Sequence, residues 1–396
     1  MKRILIATFD MGIGGVERSL INLLEKFDFA RYEVDLLLYR HQGEFLPMVP
    51  STVRLLAEHP KYATFRKSIK ETIRGKDYAI AIGRLLSKIH AAAIGKQRRL
   101  EEAGYIQMQY MWKYALPFLP EVNREYDVAI SYLWPHEFVA NKVKAKRKLA
   151  WIHTDYSTVH TDIDQDVRTW SKYDGIVAVS EACREAFLKK YGELSEKVQV
   201  IENVTSPEFI LRMSEEEPCA PFSKDSRFKL VTVARLSHAK GIDRAIKALH
   251  LLREKGIENV AWYVVGDGGE EGMLRELIAG CGLQDDFILL GKRVNPYPYM
   301  KKCDLYVQPS RYEGKAVTVT EAKILGKPVL ITNFPTAGSQ VEHEWDGIIC
   351  DAAPEGLADG IETIMQHAEI RDRLSRNCLS REYGNKEELR KVYALF

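Results

Sequence analysis

Two glutamates, Glu313 and Glu321, stand eight positions apart in the stretch RYEGKAVTVTEAKILGKP. Upstream, Arg235 and Lys240 stand five positions apart in ARLSHAKG, directly after the apolar run FKLVTVA. Arginine offers a planar fork to two oxygens of an anion, and lysine offers a compact point charge. Two such cations over one helix start would clamp a diphosphate; the plain reading is a pair of surface cations. Near the amino end, GIGGVERSL (12–20) puts a glycine-rich turn after a strand and before a helix. Glycine lets a ligand come close to the backbone, and the free N–H groups of a helix start attract anions. Glu17 occupies the place of the third glycine, so the dinucleotide fingerprint is not met. VVGDGGEEG (264–272) misses it in the same way, with Glu271 at that place, and reads as a tight turn lining a cleft.

The elements that must position these residues follow from patterning. Short β-branched runs alternate with helical patterns along most of the 396 residues. In the first half the runs include ILIAT, VDLLLY, DVAISY, KLAWIH, GIVAVS and VQVIEN; in the second half they include FKLVTVA, AWYVVG, FILLG, DLYVQP, PVLIT and GIIC. Apolar strands with helices between them form parallel sheets covered on both faces. The polar, proline-bearing stretch 205–229 interrupts the alternation and reads as a linker. The expectation is an α/β chain of two doubly wound Rossmann-like domains, 1–205 and 206–380, facing a cleft at the carboxyl ends of their strands, with a final helical segment, 381–396.

Residues 61–116 break the pattern. Eleven Lys or Arg face two acids between 61 and 100, interleaved with IAIGRLLSKIHAAAIG. This predicts a basic amphipathic helical insertion, either a solvated helix pair over the first sheet or an attachment to an anionic membrane.

The parallel strands DLYVQP and PVLIT need a crossover, and a helix supplies one most readily. AVTVTEAKIL therefore reads as helix, although its first half favours strand by propensity. Glu313 then lies in the loop ahead of it, and Glu321 about two turns inside. The amides of Lys315, Ala316 and Val317 face outward at its start, where an anion docks. Glu313 would accept hydrogen bonds from a sugar on one side of that anion, and Glu321 from a ribose on the other. Sugar, diphosphate, ribose is the order of a nucleotide sugar. The alternative is that Glu313 stabilises the helix start by charge and Glu321 is a surface residue. His153, in WIHTD, ends an apolar strand at a carboxyl edge; it is a structural histidine or a functional one, and Asp155 positions an acceptor hydroxyl or caps the next segment.

Together these motifs resemble glycosyltransferase family 4, whose members retain anomeric configuration and have the GT-B fold. The resemblance runs through GGVERSLINLL, HTD, NVTSPEF, ARLSHAKG, VVGDGG and PSRYEGKAVTVTEAKILGKPV to the final helical segment. It implies that Glu313 and Glu321 are the paired glutamates of that family. Glu313 would then touch the donor sugar, and Glu321 would hold the ribose. It implies that Arg235 and Lys240 bind the diphosphate, that Gly15 packs against the phosphates, and that the backbone of Val294 reads the base. His153 would reach the sugar from the first domain, and the last helix would cross back to that domain. His153 and Glu313 are the catalytic candidates. Gly15, Arg235, Lys240, Val294, Gly314, Lys315, Ala316, Val317 and Glu321 are the donor-binding ones. Lys315 departs from the Phe or Ser usual after the EG of the motif, so sugar preference does not transfer.

The reading is a metal-independent enzyme that needs no cofactor. It would move a hexose or N-acetylhexosamine from a nucleoside diphosphate sugar, UDP-sugar favoured, to an acceptor hydroxyl in cell-envelope glycan assembly. DIDQD (162–166) contains the letters of a metal motif but reads as a helix start. A nucleotide-sugar epimerase and a non-catalytic partner subunit are the alternatives; a nicotinamide dehydrogenase fails on both glycine loops. The net charge of +2 gives no pull toward nucleic acid. Six scattered cysteines fit neither a zinc site nor a disulfide framework. The first fifteen residues hold too short an apolar run for a signal peptide. The expected location is the cytoplasm, with a peripheral place at the inner membrane face if the acceptor is a lipid-linked saccharide.

Overall fold

The computed structural model describes residues 1–100, 103–313 and 315–396. The chain divides into two compact units, Met1–Thr205 with Asn385–Phe396, and Ser206–Gly384.

The first unit is built on seven parallel strands: β1 (Lys2–Thr8), β2 (Tyr32–Leu38), β3 (Arg54–Leu55), β4 (Glu125–Ser131), β5 (Lys144–Ile152), β6 (Gly175–Ala178) and β7 (Val198–Val200). Their order is β3-β2-β1-β4-β5-β6-β7. The chain therefore reverses direction across the sheet between β1 and β4, and such a switch leaves a crevice at the carboxyl ends of the two strands. The core is aromatic: Trp112 stacks on Phe65 at 3.8 Å, and Tyr39, Tyr62 and Phe138 meet edge to face. Burying such rings gives large apolar area for few side chains.

The second unit repeats the plan with six parallel strands: β8 (Phe228–Val233), β9 (Val260–Val265), β10 (Phe287–Gly291), β11 (Leu305–Gln308), β12 (Val329–Thr332) and β13 (Ile348–Cys350). Their order is β10-β9-β8-β11-β12-β13, so the switch lies between β8 and β11. All six residues of β9 are buried, as a strand covered on both faces requires. Helix Val317–Ile324 follows β11, as the crossover argument predicts and the local propensity does not.

Two sequence expectations are corrected. The stretch 205–229 is not an open linker: Pro207–Met213 is helical, capped by the Ser206 hydroxyl, and Phe209, Ile210 and Phe222 are buried in the second unit. The acidic residues hid an amphipathic turn whose apolar face had a place to pack. In the insertion, helices Ile69–Arg74, Tyr78–Arg98 and Gly104–Ala115 form as expected. However, Tyr78–Arg98 is not simply polar on its outer side. It buries small residues, Gly83, Ser87, Ala91 and Gly95, and leaves large apolar ones outside.

The final helix, Lys386–Ala394, belongs to the first unit. The ring of Tyr393 stacks on Tyr32 at 5.0 Å, and its hydroxyl accepts from the amide of Asp28 at 2.7 Å. Asn385 ties the start of the helix to Asn203 and Thr205.

Candidate active site

The loop after β8 carries Arg235 and Lys240; the loop after β11 carries Glu313. Because β8 and β11 are neighbours at the switch point, residues about 75 positions apart in sequence arrive together. The two loops are bolted by Arg311. Its guanidinium grips both carboxylate oxygens of Asp243 at 2.6 and 2.7 Å and donates to the carbonyl of His238, and its amide donates to the carbonyl of Ala239. Gly241 makes the approach feasible. Its φ is +65°, and a Cβ there would lie 2.1 Å from the carbonyl oxygen of Pro309.

At the centre, the Lys240 ammonium meets Oε1 and Oε2 of Glu313 at 2.7 and 2.6 Å. The carboxylate is 7% exposed and also accepts from Ser310 at 2.7 Å and Gln308 at 3.1 Å. A nearly buried carboxylate thus has a cation and two neutral donors fixing it in one orientation. Arg235 is exposed beside this pair in sequence, on the same loop.

Helix Val317–Ile324 buries Glu321 completely, on its second turn rather than two turns in. The surface alternative for this residue is therefore overturned. The hydroxyl of Tyr297 donates to Glu321 Oε1 at 2.9 Å, from the helix that follows the loop holding Val294. On the same helix, the buried Lys323 donates to Asp346 at 2.9 Å and to the carbonyl of Gln340 at 2.7 Å. Gln340 in turn accepts from the amide of Ala316 at 2.7 Å, while Thr336 donates to the carbonyl of Glu313 at 2.8 Å. One of the three amides expected to face an incoming anion is therefore held by a side chain. Lys315 and Val317 are exposed, and Gly314 lies outside the described residues.

The glycines of VVGDGG serve a packing role. A Cβ on Gly266 would lie 1.9 Å from the carbonyl oxygen of Ala234, and one on Gly268 would lie 2.2 Å from that of Leu236. The Leu236 amide donates to Asp267 at 2.8 Å. These glycines let the two loops run backbone against backbone beneath Arg235.

In the first unit, Gly15 opens helix Gly15–Glu25, and a Cβ on it would meet nothing within 4 Å. His153 follows β5 and lies against Tyr132, ring centroids 4.8 Å apart. Its Nε2 is buried with no hydrogen-bond partner, and burial holds its pKa down at about 4, so the imidazole is neutral at neutral pH. It lines a cavity of about 160 Å³ with Phe9, Tyr105, Trp134 and Trp151. Deeper lie His136, held down at about 3, Glu137, pushed up to about 8, and Asp166, pushed up to about 6, all by burial. DIDQD begins helix Ile163–Trp170 as read, with Asp162 as its cap.

Of the residues singled out by spacing, the structure brings Lys240 and Glu313 into contact, buries Glu321 and leaves Arg235 exposed. Arg311, Gln340, Tyr297, Lys323 and Asp346, which hold these loops and this helix, have partners remote in sequence and leave no local pattern. Among the described residues no three His, Cys, Asp or Glu side chains converge as a metal site.

Residues 213–381 match the family model described as Glycosyl transferases group 1. An uncharacterized glycosyltransferase of Methanocaldococcus jannaschii is 24% identical over 274 residues, which cover 64% of this chain and 70% of that protein. The lipopolysaccharide core biosynthesis glycosyltransferase LpsD of Rhizobium meliloti is 29% identical over 149 residues, 37% of this chain and 42% of that one. The structure of Anabaena HepE in complex with UDP and glucose is similar at TM-score 0.64 and 19% identity, over 100% of this chain and 99% of that chain. The fold is the two-domain GT-B arrangement, and the chain is a glycosyltransferase enzyme.

Proposed function

We propose that the chain is a retaining glycosyltransferase of the family 4 kind. It would take a hexose or N-acetylhexosamine from a nucleoside diphosphate sugar, UDP favoured, without a metal ion. The observation that supports this most is the Lys240–Glu313 pair at the β8–β11 switch point, next to the buried Glu321. A diphosphate arriving at Lys240 competes with Glu313 for the ammonium. The carboxylate is then released toward the sugar hydroxyls, and the cation toward the charge that grows on the leaving group. Fixed cations aimed at developing charge are the strongest single catalytic device available to such a site. Arg235 adds a fork to the same oxygens, and Glu321 takes the ribose. The amides of Lys315 and Val317 form the anion cradle, that of Ala316 joining once Gln340 yields, and the Val294 backbone meets the base. Gly15 and His153 are the candidates that the first unit contributes, Gly15 at a helix start and His153 as a neutral imidazole with a free ring nitrogen. The preference for UDP is supported by the UDP and glucose bound to HepE.

The acceptor proposed is a saccharide or lipid-linked saccharide in envelope or capsular polysaccharide assembly. The involvement of LpsD in lipopolysaccharide core biosynthesis supports this choice. Arg235→Ala is the direct test. It removes an exposed side chain, so the fold persists, and transfer should fall by about 100-fold or more. Transfer at the unaltered rate would remove the clamp.

A further inference from the structure

The helix Tyr78–Arg98 is apolar on two opposite faces. One packs inward on helix Gly104–Ala115, where a Cβ on Gly83 would lie 3.1 Å from that of Tyr114. The other holds Tyr78, Ile82, Leu85, Leu86 and Ile89, which are 58, 58, 52, 48 and 60% exposed. At about 100° per residue these five share an arc of about 100° of the helix. Ala92, Ala93 and Lys96 continue the same arc, and all three are exposed. A helix apolar all round is normally enclosed by protein or by lipid, and single exposed leucines need no explanation, whereas a contiguous stripe does.

What surrounds the stripe selects its occupant. Exposed Lys67, Lys70, Arg74 and Lys76 lead into the helix, and exposed Lys88, Lys96, Arg98 and Arg99 run along and beyond it. Glu71 and Asp77 are the only acids between 61 and 100. Arg84 is spent inside the fold, donating to the carbonyls of Thr64 and Lys67 at 2.8 and 2.6 Å, which fixes the helix to the body of the first unit. A second copy of this face would bring cations against cations. An anionic bilayer offers acyl chains to the stripe and headgroup charge to the lysines.

We propose that this helix lies in the surface of an anionic membrane, seated by Tyr78, Ile82, Leu85, Leu86 and Ile89 and held by the flanking cations. Among the described residues no helix is long and apolar enough to cross a membrane. The inference rests on the surface of the first unit, not on the donor reading, and the two fail separately.

The test is flotation of the full chain with phosphatidylcholine vesicles, with and without phosphatidylglycerol, at low and high salt. The expected result is binding that needs phosphatidylglycerol, weakens with salt, and falls at least tenfold in the triple variant Ile82→Gln/Leu86→Gln/Ile89→Gln. These positions are exposed, so the triple variant should keep its melting temperature and its release of nucleotide from a soluble donor. Absence of wild-type binding to phosphatidylglycerol vesicles at low salt would overturn the proposal. So would equal binding by the triple variant, or light scattering showing a dimer that this variant dissolves without any vesicle binding.

Discussion

Lys240 touches both oxygens of Glu313, and in the proposed site that one contact would tie folding to chemistry. Lys240→Ala leaves a nearly buried carboxylate with only neutral donors. It should cost about 1–3 kcal/mol of stability, read by denaturant unfolding, as well as activity. Adding Glu313→Gln should return much of the stability and none of the activity. If the double variant is no more stable than Lys240→Ala, the pair is not the energetic unit described. Glu313→Gln alone should lower kcat more than nucleotide affinity; a change confined to affinity would place Glu313 away from the reacting sugar. The residue scale is also where sequence was most informative. Charged groups at fixed spacing, Arg235 with Lys240 and Glu313 with Glu321, stand out as candidates because few side chains can meet a phosphate or a sugar. Gln340 on the Ala316 amide does not, since a glutamine 24 positions away resembles any other surface glutamine.

Elements place these groups, and here sterics decide. Gly241 sits at φ +65° with the Pro309 carbonyl where a side chain would start. Gly241→Ala should therefore destabilise the second unit by at least about 2 kcal/mol, measured as a fall in unfolding midpoint. A neutral result would mean the loop relaxes freely. Helix Val317–Ile324 rests on the Lys323–Asp346 pair, with Arg381 also on Asp346 at 3.2 Å. Lys323→Met should cost about 3 kcal/mol, because Asp346 stays buried with its better partner gone. The helix itself was legible through topology: two parallel strands need a crossover, and this outweighed the strand propensity of AVTVT. The segment 207–213 was not legible, because its acidic neighbours outweighed the three apolar residues that find a core. For Tyr78–Arg98 the sequence left open whether its outer face is solvated or meets a membrane, and did not show which apolar residues lie there. A helix wheel shows periodicity, but only packing tells which of two apolar faces is covered.

At the scale of the whole molecule, two parallel sheets covered by helices were foreseeable from strand and helix alternation, and their strand orders were not. The contents of the first unit's interior were not. Burial there keeps Glu137 protonated up to about pH 8 in the fold, against 4.5 for the free side chain. The unfolded chain gives up that proton early, so the group erodes stability as pH rises through that window, by about 1.4 kcal/mol per unit. His136 and His153 act in the opposite sense. Their stability is present above pH 6.5 and lost as pH falls toward their folded values of about 3 and 4. Comparing Glu137→Gln with the wild type at each pH isolates the carboxyl. The variant's relative stability should grow steadily from pH 5 to pH 8, and a constant difference would show that Glu137 ionises normally.

The cations and glutamates at the β8–β11 switch are proposed to hold a nucleotide sugar for transfer without a metal. The most direct measurement is nucleotide release from a panel of UDP-, GDP- and ADP-sugars in EDTA, with and without lipid extract, for the wild type and Arg235→Ala. Release is expected from one donor, UDP-linked, undiminished by EDTA, raised by the extract and lost in the variant. The proposal would be contradicted by release that requires a divalent ion, by a sugar epimerised while still attached to its nucleotide, or by no release from any donor in the presence of extract.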